Sequence, residues 1–255
     1  ARAAASRFAV VEPAVAPAAL AGAAGITWHA AAADLAESLD GAAPEAVVFA
    51  VKPQIIDRVV PDYRRWASPR TLFLSIAAGK TIAGLTRHLG AAALVRAMPN
   101  TPAAIGRAIT VACASPEVTP AQRRLCETLL AAIGESRWVE DEGLLDAVTA
   151  VSGSGPAYVF LLIEALAVAG EKAGLPAPLA LDLARTTVAG AGELARLSPQ
   201  PPAVLRDNVT SPGGTTRAAL DVLMAPDGLV RLIERAVAAA AERSISRTRP
   251  SGAIS

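Results

Sequence analysis

The chain has 255 residues, of which 53% are hydrophobic and 18% charged, and its formal net charge is +1. This length and composition suit one large domain or two smaller ones, with a sizeable buried core. The balanced charge argues against a nucleic-acid partner, because no basic stripe is interleaved with aromatic side chains. The 2 cysteines and 2 histidines show no metal-ligand spacing. We therefore expect no metal site, and buried thiols in a reducing, cytoplasmic compartment.

The chain up to about Val139 alternates short apolar runs with helical segments. The runs lack strict polar alternation and are rich in β-branched residues, which is typical of strands buried on both faces of a parallel sheet. This alternation predicts a doubly wound α/β domain of the Rossmann type. The predicted strands are residues 7–12, 46–51, 71–77, 93–98 and 108–114, and helices are predicted over residues 53–66 and 81–90.

After Glu142 the strand signal stops and the pattern is helical. Helices are predicted over residues 156–173, 178–197, 215–223 and 229–247, with a short turn near residues 202–206. We therefore predict an α/β domain over residues 1–141 and an all-helical domain over residues 142–255. The most apolar run, residues 156–170, contains Glu164 and is shorter than the roughly 20 residues of a membrane span. It favours a helix in a domain core or subunit interface, with no membrane partner.

Three predicted strands are followed by loops that suit a ligand, at the edge where doubly wound sheets bind one. In the first loop Lys52 stands alone as a charge and Pro53 ends the strand. Residues 75–81 are small enough for a flat ligand to approach the backbone, and two prolines hold Asn100 in a turn. Each loop by itself also fits an ordinary tight turn, but three on one edge predict a ligand site.

Glu12 ends the first predicted strand, where an acidic side chain of a Rossmann domain binds the adenine ribose hydroxyls. A plain strand-end turn is the alternative. The glycine-rich G-x-G-x-x-G turn should precede such a strand by about 20 residues. We expect this turn and the first strand of the sheet to be missing from the printed sequence.

Two stretches in the helical half place small residues before a predicted helix: VSGSGPAY from Val151 and TSPGGTT from Thr210. A helix N-terminus has unpaired N–H groups and a partial positive charge, so it binds an anion without Arg or Lys. Glycines let a carboxylate reach those N–H groups. An ordinary N-cap with close helix packing remains the alternative, and it is weaker for the second stretch.

Five stretches together closely resemble the pyrroline-5-carboxylate reductase family: AVKPQ, SIAAG, RAMPNTPAAIG, DAVTAVSGSGPAYVFLLIEAL and RDNVTSPGGTTRAAL. They cover nearly the whole chain in the right order, and the last two are specific to that family. The resemblance implies an NAD(P)H-dependent oxidoreductase acting on a CH–NH (imine) group, the last enzyme of proline biosynthesis. It also implies a Rossmann domain that binds the dinucleotide and a helical domain that binds substrate and forms homodimers, often assembled into decamers.

The resemblance assigns site residues for a small-molecule substrate, pyrroline-5-carboxylate, and for NADPH or NADH. Thr216 is the catalytic candidate, because its hydroxyl would hydrogen-bond the ring nitrogen. The implied substrate-binding residues are Glu142, Ser211, Gly213, Gly214, Thr215 and Thr216. The implied cofactor-binding residues are Glu12, Ala50, Val51, Lys52, Pro53, Ile76, Ala77, Ala78, Asn100 and Asn208. For Glu142, an acid that stabilises the first turn of a helix is the alternative.

Three questions stay open at the level of the sequence. Glu12 has no neighbouring Arg or Lys for a 2′-phosphate, which favours NADH or dual use, whereas much of the family prefers NADPH. A reductase of the β-hydroxyacid dehydrogenase type usually needs a lysine in the helical domain, and after Asp141 the chain has only Lys172. The other alternative is a catalytically impaired, truncated relative that acts only as an oligomerising protein.

Overall fold

The structure is a computed structural model that describes residues 7–14 and 24–248. Its first part contains β1 (Phe8–Val11), β2 (Ile26–His29), α1 (Ala32–Ser38), β3 (Ala46–Phe49), α2 (Ile56–Val59), β4 (Leu72–Ser75), α3 (Ile82–Leu89), β5 (Ala93–Met98), β6 (Ala108–Ala114), α4 (Pro120–Ala131) and β7 (Gly134–Trp138). Its second part contains α5 (Leu144–Val148), α6 (Gly155–Lys172), α7 (Ala177–Leu197), α8 (Pro202–Asn208), α9 (Thr215–Leu223) and α10 (Leu229–Thr248). The predicted fold class, a Rossmann-like domain followed by helices, is confirmed.

The strands form two sheets, one of order β1-β2 and one of order β3-β4-β5-β6-β7. β1 pairs with β2 in parallel, and β3, β4 and β5 are also parallel to one another. In a doubly wound sheet of strand order 3-2-1-4-5-6, the first strand lies between the pair formed by the second and third strands and the group formed by the later strands. β6 runs antiparallel to β5. The end of β6 lies beside the start of β5, because Ser115 N–H donates to Leu94 O (2.8 Å). The start of β6 lies beside the residues after β5, because Ile109 N–H donates to Asn100 Oδ1 (3.1 Å).

The described part of the chain folds into two compact units. Of the described residues, the first unit comprises those up to residue 97 with 112–132 and 138–142, and the second comprises 98–111, 133–137 and 143–248. The second unit therefore takes short pieces of the sheet region in addition to the helices. The predicted boundary between residues 141 and 142 stays a prediction.

Aromatic side chains form the centre of the core in the first unit. Phe49 on β3 stacks on Phe73 of β4 with ring centroids 6.0 Å apart, and it meets the edge of Tyr63 at 5.3 Å. Ile56 and Leu85 are fully or almost fully buried beside them. Burial of such side chains contributes about 1.5–3 kcal/mol each, so this layer fixes α2 and α3 against the sheet.

The structure contains two strands where the sequence predicts none. β2 and β7 are short, and β7 (GESRW) alternates half-buried and exposed residues rather than forming an apolar run. Because both strands contain polar residues, an apolar pattern does not predict them. The predicted helix over residues 53–66 is also shorter, since a 3₁₀ helix, Val60–Trp66, follows α2. Pro61 has no N–H to continue the α-helical bonding there.

The predicted helix over residues 156–173 corresponds to α6, but helical structure also precedes it. Residues 144–172 form one continuous helical stretch, in which a π-helical turn, Thr149–Gly153, joins α5 to α6. Ser154 N–H donates to Thr149 O at 2.8 Å, five residues back, which is the π pattern. Tyr158 Oη donates to Ala150 O at 3.0 Å, which satisfies a carbonyl in that turn. The Ser-Gly-Ser-Gly stretch is therefore helix interior, and its N–H groups are not those of a free helix start.

The helices of the second unit bury small residues and expose large ones. Ala167, Ala180 and Ala184 are buried where α6 and α7 pack together. In contrast, Phe160 and Leu161 on α6 are 60% and 64% exposed. By length and composition alone, residues 144–172 would suffice to cross a membrane, and only 6% of the most apolar 18-residue segment of this stretch is buried. This chain alone leaves a wide apolar surface uncovered.

Candidate functional site

The N-terminus of α9 lacks a side-chain cap. Gly214 is its N-cap residue, and no side-chain hydrogen bond caps the helix. Thr215 is exposed and Thr216 is half-buried at the first turn. The first N–H groups of a helix need partners from outside the helix, and together with the helix dipole they favour an anion. This N-terminus is therefore suited to a small carboxylate.

The two glycines before α9 meet different demands, one of backbone conformation and one of space beside a side chain. Gly213 has a φ of 68°, in the left-handed region that glycine adopts most easily. A Cβ on Gly214 would overlap Ser211 Oγ, and Gly214 N–H donates to Ser211 O at 3.0 Å. This tight turn brings the exposed Ser211 hydroxyl close to the N-cap, so the turn and the free N–H groups form one small polar surface.

The loops after β3 and β4 lie side by side at the carboxyl edge of the sheet. In the parallel register Phe49 is opposite Ser75, and Ile76 N–H donates to Phe49 O at 3.1 Å. The structure thus brings together two groups of predicted cofactor residues, Ala50, Val51, Lys52 and Pro53 with Ile76, Ala77 and Ala78. Lys52 is exposed there, so its charge is available to a phosphate group.

The other predicted cofactor residues are placed as follows. Glu12 directly follows β1 and is exposed, and its Oε1 accepts a hydrogen bond from Ala14 N–H at 3.1 Å. Asn100 precedes a 3₁₀ turn, and its Oδ1 accepts from Ile109 N–H. Asn208 ends α8 and is exposed. Their roles in cofactor binding stay predictions.

Glu142 Oε1 accepts two hydrogen bonds within the first unit. Ile82 N–H donates at 2.8 Å, and Arg96 Nη1 donates at 2.9 Å. Arg96 is 3% exposed on β5, so the pair neutralises a buried guanidinium. Ile82 is the first residue of α3, where a carboxylate is favoured by the helix dipole. The substrate-binding role of Glu142 stays a prediction, and one of its two oxygens is already used.

Arg96, the ion-pair partner of Glu142, has no role among those predicted from the sequence. The sequence does carry a signal, because Arg96 is the only charge in the apolar strand ALVRAM. A charge in a strand buried on both faces needs a partner. That partner, Glu142, lies 46 residues further along the chain, and its identity cannot be read from the sequence.

The thiols have no nucleophilic role in the described geometry. Burial raises the pKa of Cys126 to about 12 and raises that of Cys113 above its usual value. Both side chains are buried free thiols. Among residues 7–14 and 24–248, no cluster of His, Cys, Asp or Glu is arranged to hold a metal ion.

Known proteins match the helical part of this chain, and some match most of its length. Residues 142–246 match the family described as pyrroline-5-carboxylate reductase dimerisation. The pyrroline-5-carboxylate reductase of Pisum sativum is 44% identical over 202 residues, which are 79% of this chain and 73% of that protein. The chain belongs to the pyrroline-5-carboxylate reductase family. As a member of this family it forms homo-oligomers and acts on a small molecule.

Solved structures of pyrroline-5-carboxylate reductases have the same fold. The structure from Coxiella burnetii has a TM-score of 0.87 and 33% sequence identity, and covers 96% of this chain and 90% of its own. The Plasmodium falciparum pyrroline carboxylate reductase with NADP bound has a TM-score of 0.77 and 30% identity, covering 94% of this chain and 87% of its own. These relatives favour this family over the β-hydroxyacid dehydrogenase alternative.

Proposed function

We propose that this chain reduces 1-pyrroline-5-carboxylate to L-proline, the last step of proline biosynthesis, with NADPH or NADH as the hydride donor. The uncapped N-terminus of α9 carries the proposal. It offers N–H groups beside Ser211 and Thr216, which match a substrate with one carboxylate and one ring nitrogen. Membership of the pyrroline-5-carboxylate reductase family supports the same reaction.

The substrate is held by backbone and hydroxyl groups. Its carboxylate accepts hydrogen bonds from the N–H groups at Thr215 and Thr216, with Ser211 Oγ beside them, while Gly214 N–H donates to Ser211 O within the turn. Hydrogen bonds to a charged group contribute about 1.5–3 kcal/mol each, so a few of them orient the ring without Arg or Lys. The Thr216 hydroxyl then reaches the ring nitrogen.

The loops of the first unit fit a dinucleotide. Exposed Glu12 suits the ribose hydroxyls and exposed Lys52 suits a phosphate. Half-buried Ile76 and Ala78, with buried Ala77 between them, form a small-residue surface for a flat ring. Neither Glu12 nor Lys52 separates NADPH from NADH, so both cofactors remain in the proposal. When bound, the reduced cofactor supplies a hydride, and Asn100 and Asn208 are assigned to its contacts.

The reaction requires little of the protein beyond positioning the substrate and the cofactor. The C=N carbon accepts the hydride, the C=N bond becomes a single bond, and the nitrogen retains one proton as a secondary amine. A protonated imine is already a strong electrophile, so no strong acid is needed. The Thr216 hydroxyl orients the nitrogen through a hydrogen bond. Holding two reactants in the reacting geometry can lower the barrier by about 7–11 kcal/mol, which is the main catalytic contribution assigned here.

The oligomer follows from the uncovered surface of the second unit. Large side chains of α6 and α7, including Phe160, Leu161 and Leu194, are more than half exposed. We assign this surface to a second copy of the chain in a homodimer, which can assemble further into a decamer. This assignment removes the need for a membrane partner, and a cytoplasmic enzyme without a nucleic-acid partner fits the reaction.

The test is a steady-state assay of the purified protein with 1-pyrroline-5-carboxylate and either NADPH or NADH. We expect oxidation of the cofactor to match the proline formed, one for one. An oligomer that forms no proline with either cofactor would contradict the proposal. That result would support the alternative of a protein that only oligomerises, which the exposed helical surface also fits.

A further inference from the structure

Glu142 joins two elements of the first unit through one oxygen atom. Its Oε1 accepts from Ile82 N–H (2.8 Å) at the start of α3 and from Arg96 Nη1 (2.9 Å) in the interior of β5. Arg96 is 3% exposed, and the Glu142 side chain is 26% exposed. The carboxylate thus forms a link between a helix N-terminus and a buried strand.

Burying this ion pair has a desolvation cost that apolar side chains at the same positions would avoid. The neighbours of Arg96 on β5 are Val95 and Ala97, both buried and apolar. Burying an ion pair often stabilises a protein no more than apolar residues of similar size do. An Arg at the centre of this strand therefore suggests a role in fixing geometry rather than in adding stability.

The geometry that the link fixes is that of the loop after β4. At its first residue, Ile76 N–H donates to Phe49 O at 3.1 Å. At its far end, Ile82 N–H donates to Glu142. Between these bonds Gly79 turns the backbone with a φ of 73°. The loop is therefore held at both ends, by a neighbouring strand and by the Glu142–Arg96 pair.

We propose that Glu142 and Arg96 are positioning residues, which hold residues 76–82 in the shape that receives the dinucleotide. The inference rests on the proposed function, because Ile76, Ala77 and Ala78 are the cofactor contacts assigned there. It gives Glu142 a different task from substrate binding. Its Oε1 is already occupied by two donors, and these donors belong to the framework of the cofactor loop.

The first experiment compares cofactor and substrate affinity in Glu142→Ala. We expect the dissociation constant for NADPH, measured by titration without substrate, to rise about 10-fold. The KM for pyrroline-5-carboxylate at saturating cofactor should change less than about 2-fold. Glu135→Ala is the matched control, because it breaks an exposed Glu–Arg pair (Arg137, 2.8 Å) and should leave both constants unchanged.

A second variant separates positioning from loss of stability. Arg96→Met with Glu142→Gln leaves no unpaired guanidinium and keeps an oxygen for Ile82 N–H. This double variant should bind NADPH within about 3-fold of the unsubstituted protein, as expected for neutral replacement of a buried ion pair. Hydrogen exchange gives a readout independent of turnover. In Glu142→Ala the Ile82 amide should lose protection, while the Leu85 amide, bonded to Thr81 O, keeps it.

The outcomes are distinct. An unchanged NADPH dissociation constant in Glu142→Ala, or a rise confined to the KM for pyrroline-5-carboxylate, would overturn the positioning role. Failure of the double variant to recover NADPH binding would also overturn it. If the unsubstituted protein neither binds NADPH nor forms proline, the proposed function itself fails and the positioning role fails with it.

Discussion

At the scale of single residues, Asp57 illustrates how one contact couples stability to pH. Its carboxylate accepts a hydrogen bond from Lys80 Nζ and lies 3.5 Å from His88 Nε2. The hydrogen bond from Lys80, with the charges of Lys80 and His88, lowers the pKa of Asp57 below its ordinary 3.8. A lowered folded-state pKa means that the pair stabilises the protein above the unfolded value and loses this effect as pH falls through the folded value.

We therefore expect Asp57→Asn to be less stable than the unsubstituted protein near neutral pH, by less than about 1 kcal/mol because the side chain is half exposed. The difference should shrink as the pH falls below the ordinary Asp pKa of 3.8, toward the lowered folded-state pKa of Asp57. Urea unfolding over this pH range measures it. Lys80→Met removes the donor and should show the same trend. A difference that stays constant down to the lowest pH would contradict this account.

At the scale of elements, the π-helical turn Thr149–Gly153 depends on a side chain two helical turns away. Tyr158 Oη donates to Ala150 O at 3.0 Å. Tyr158→Phe leaves that carbonyl without its donor, at a cost of about 1 kcal/mol, and the melting temperature should fall by about 2–4 °C. Calorimetry measures this shift. Tyr63→Phe is the matched control, because none of the hydrogen bonds found among the described residues involves the Tyr63 hydroxyl. Equal shifts in the two variants would contradict the role given to Tyr158.

The apolar strands and the capped helices are the elements that the sequence predicts well. Thr81 is the first residue of the helix predicted over residues 81–90, and as the N-cap of α3 its Oγ1 accepts from Gly84 N–H at 3.0 Å. The π-helical turn could not be predicted, because Gly and Pro in a row usually mark a loop. Here Pro156 falls in the first turn of α6, where its missing N–H is tolerated.

The site could be predicted in part for a similar reason. Loops after parallel strands and glycines before α9 are local features, so the sequence alone indicates Lys52, Ile76 and Gly214 as candidates. The Glu142–Arg96 pair joins positions 46 residues apart. Such a pairing depends on the order of the strands, which local patterns leave undetermined.

At the scale of the whole molecule, the exposed apolar side chains of α6 predict the response of the oligomer. Phe160 is 60% exposed in the single chain. If it is buried against a second copy, Phe160→Glu places a charge in an apolar interface and should raise the dissociation constant of the dimer about 30-fold or more. Sedimentation velocity over a range of concentrations measures this. Phe160→Leu keeps the surface apolar and should remain dimeric. A Phe160→Glu variant that associates as tightly as the unsubstituted protein would contradict the assigned interface.

The central claim is that the N-terminus of α9 holds the substrate carboxylate. It is tested most directly by comparing kcat/KM for 1-pyrroline-5-carboxylate with that for 1-pyrroline, the same imine without the carboxylate. We expect the unsubstituted protein to favour the carboxylated substrate by at least about 100-fold, since two charge-assisted hydrogen bonds contribute about 3 kcal/mol or more.

Two variants then test the carboxylate contact and the ring-nitrogen contact separately. In Gly214→Ala the added Cβ overlaps Ser211 Oγ and disturbs the turn, so the preference should fall below about 10-fold through loss of activity on the carboxylated substrate. Thr216→Ala should lower activity on both substrates equally, because the ring nitrogen is common to them. If Gly214→Ala lowers kcat/KM equally for both substrates, the carboxylate is not bound at α9 and the central claim is contradicted.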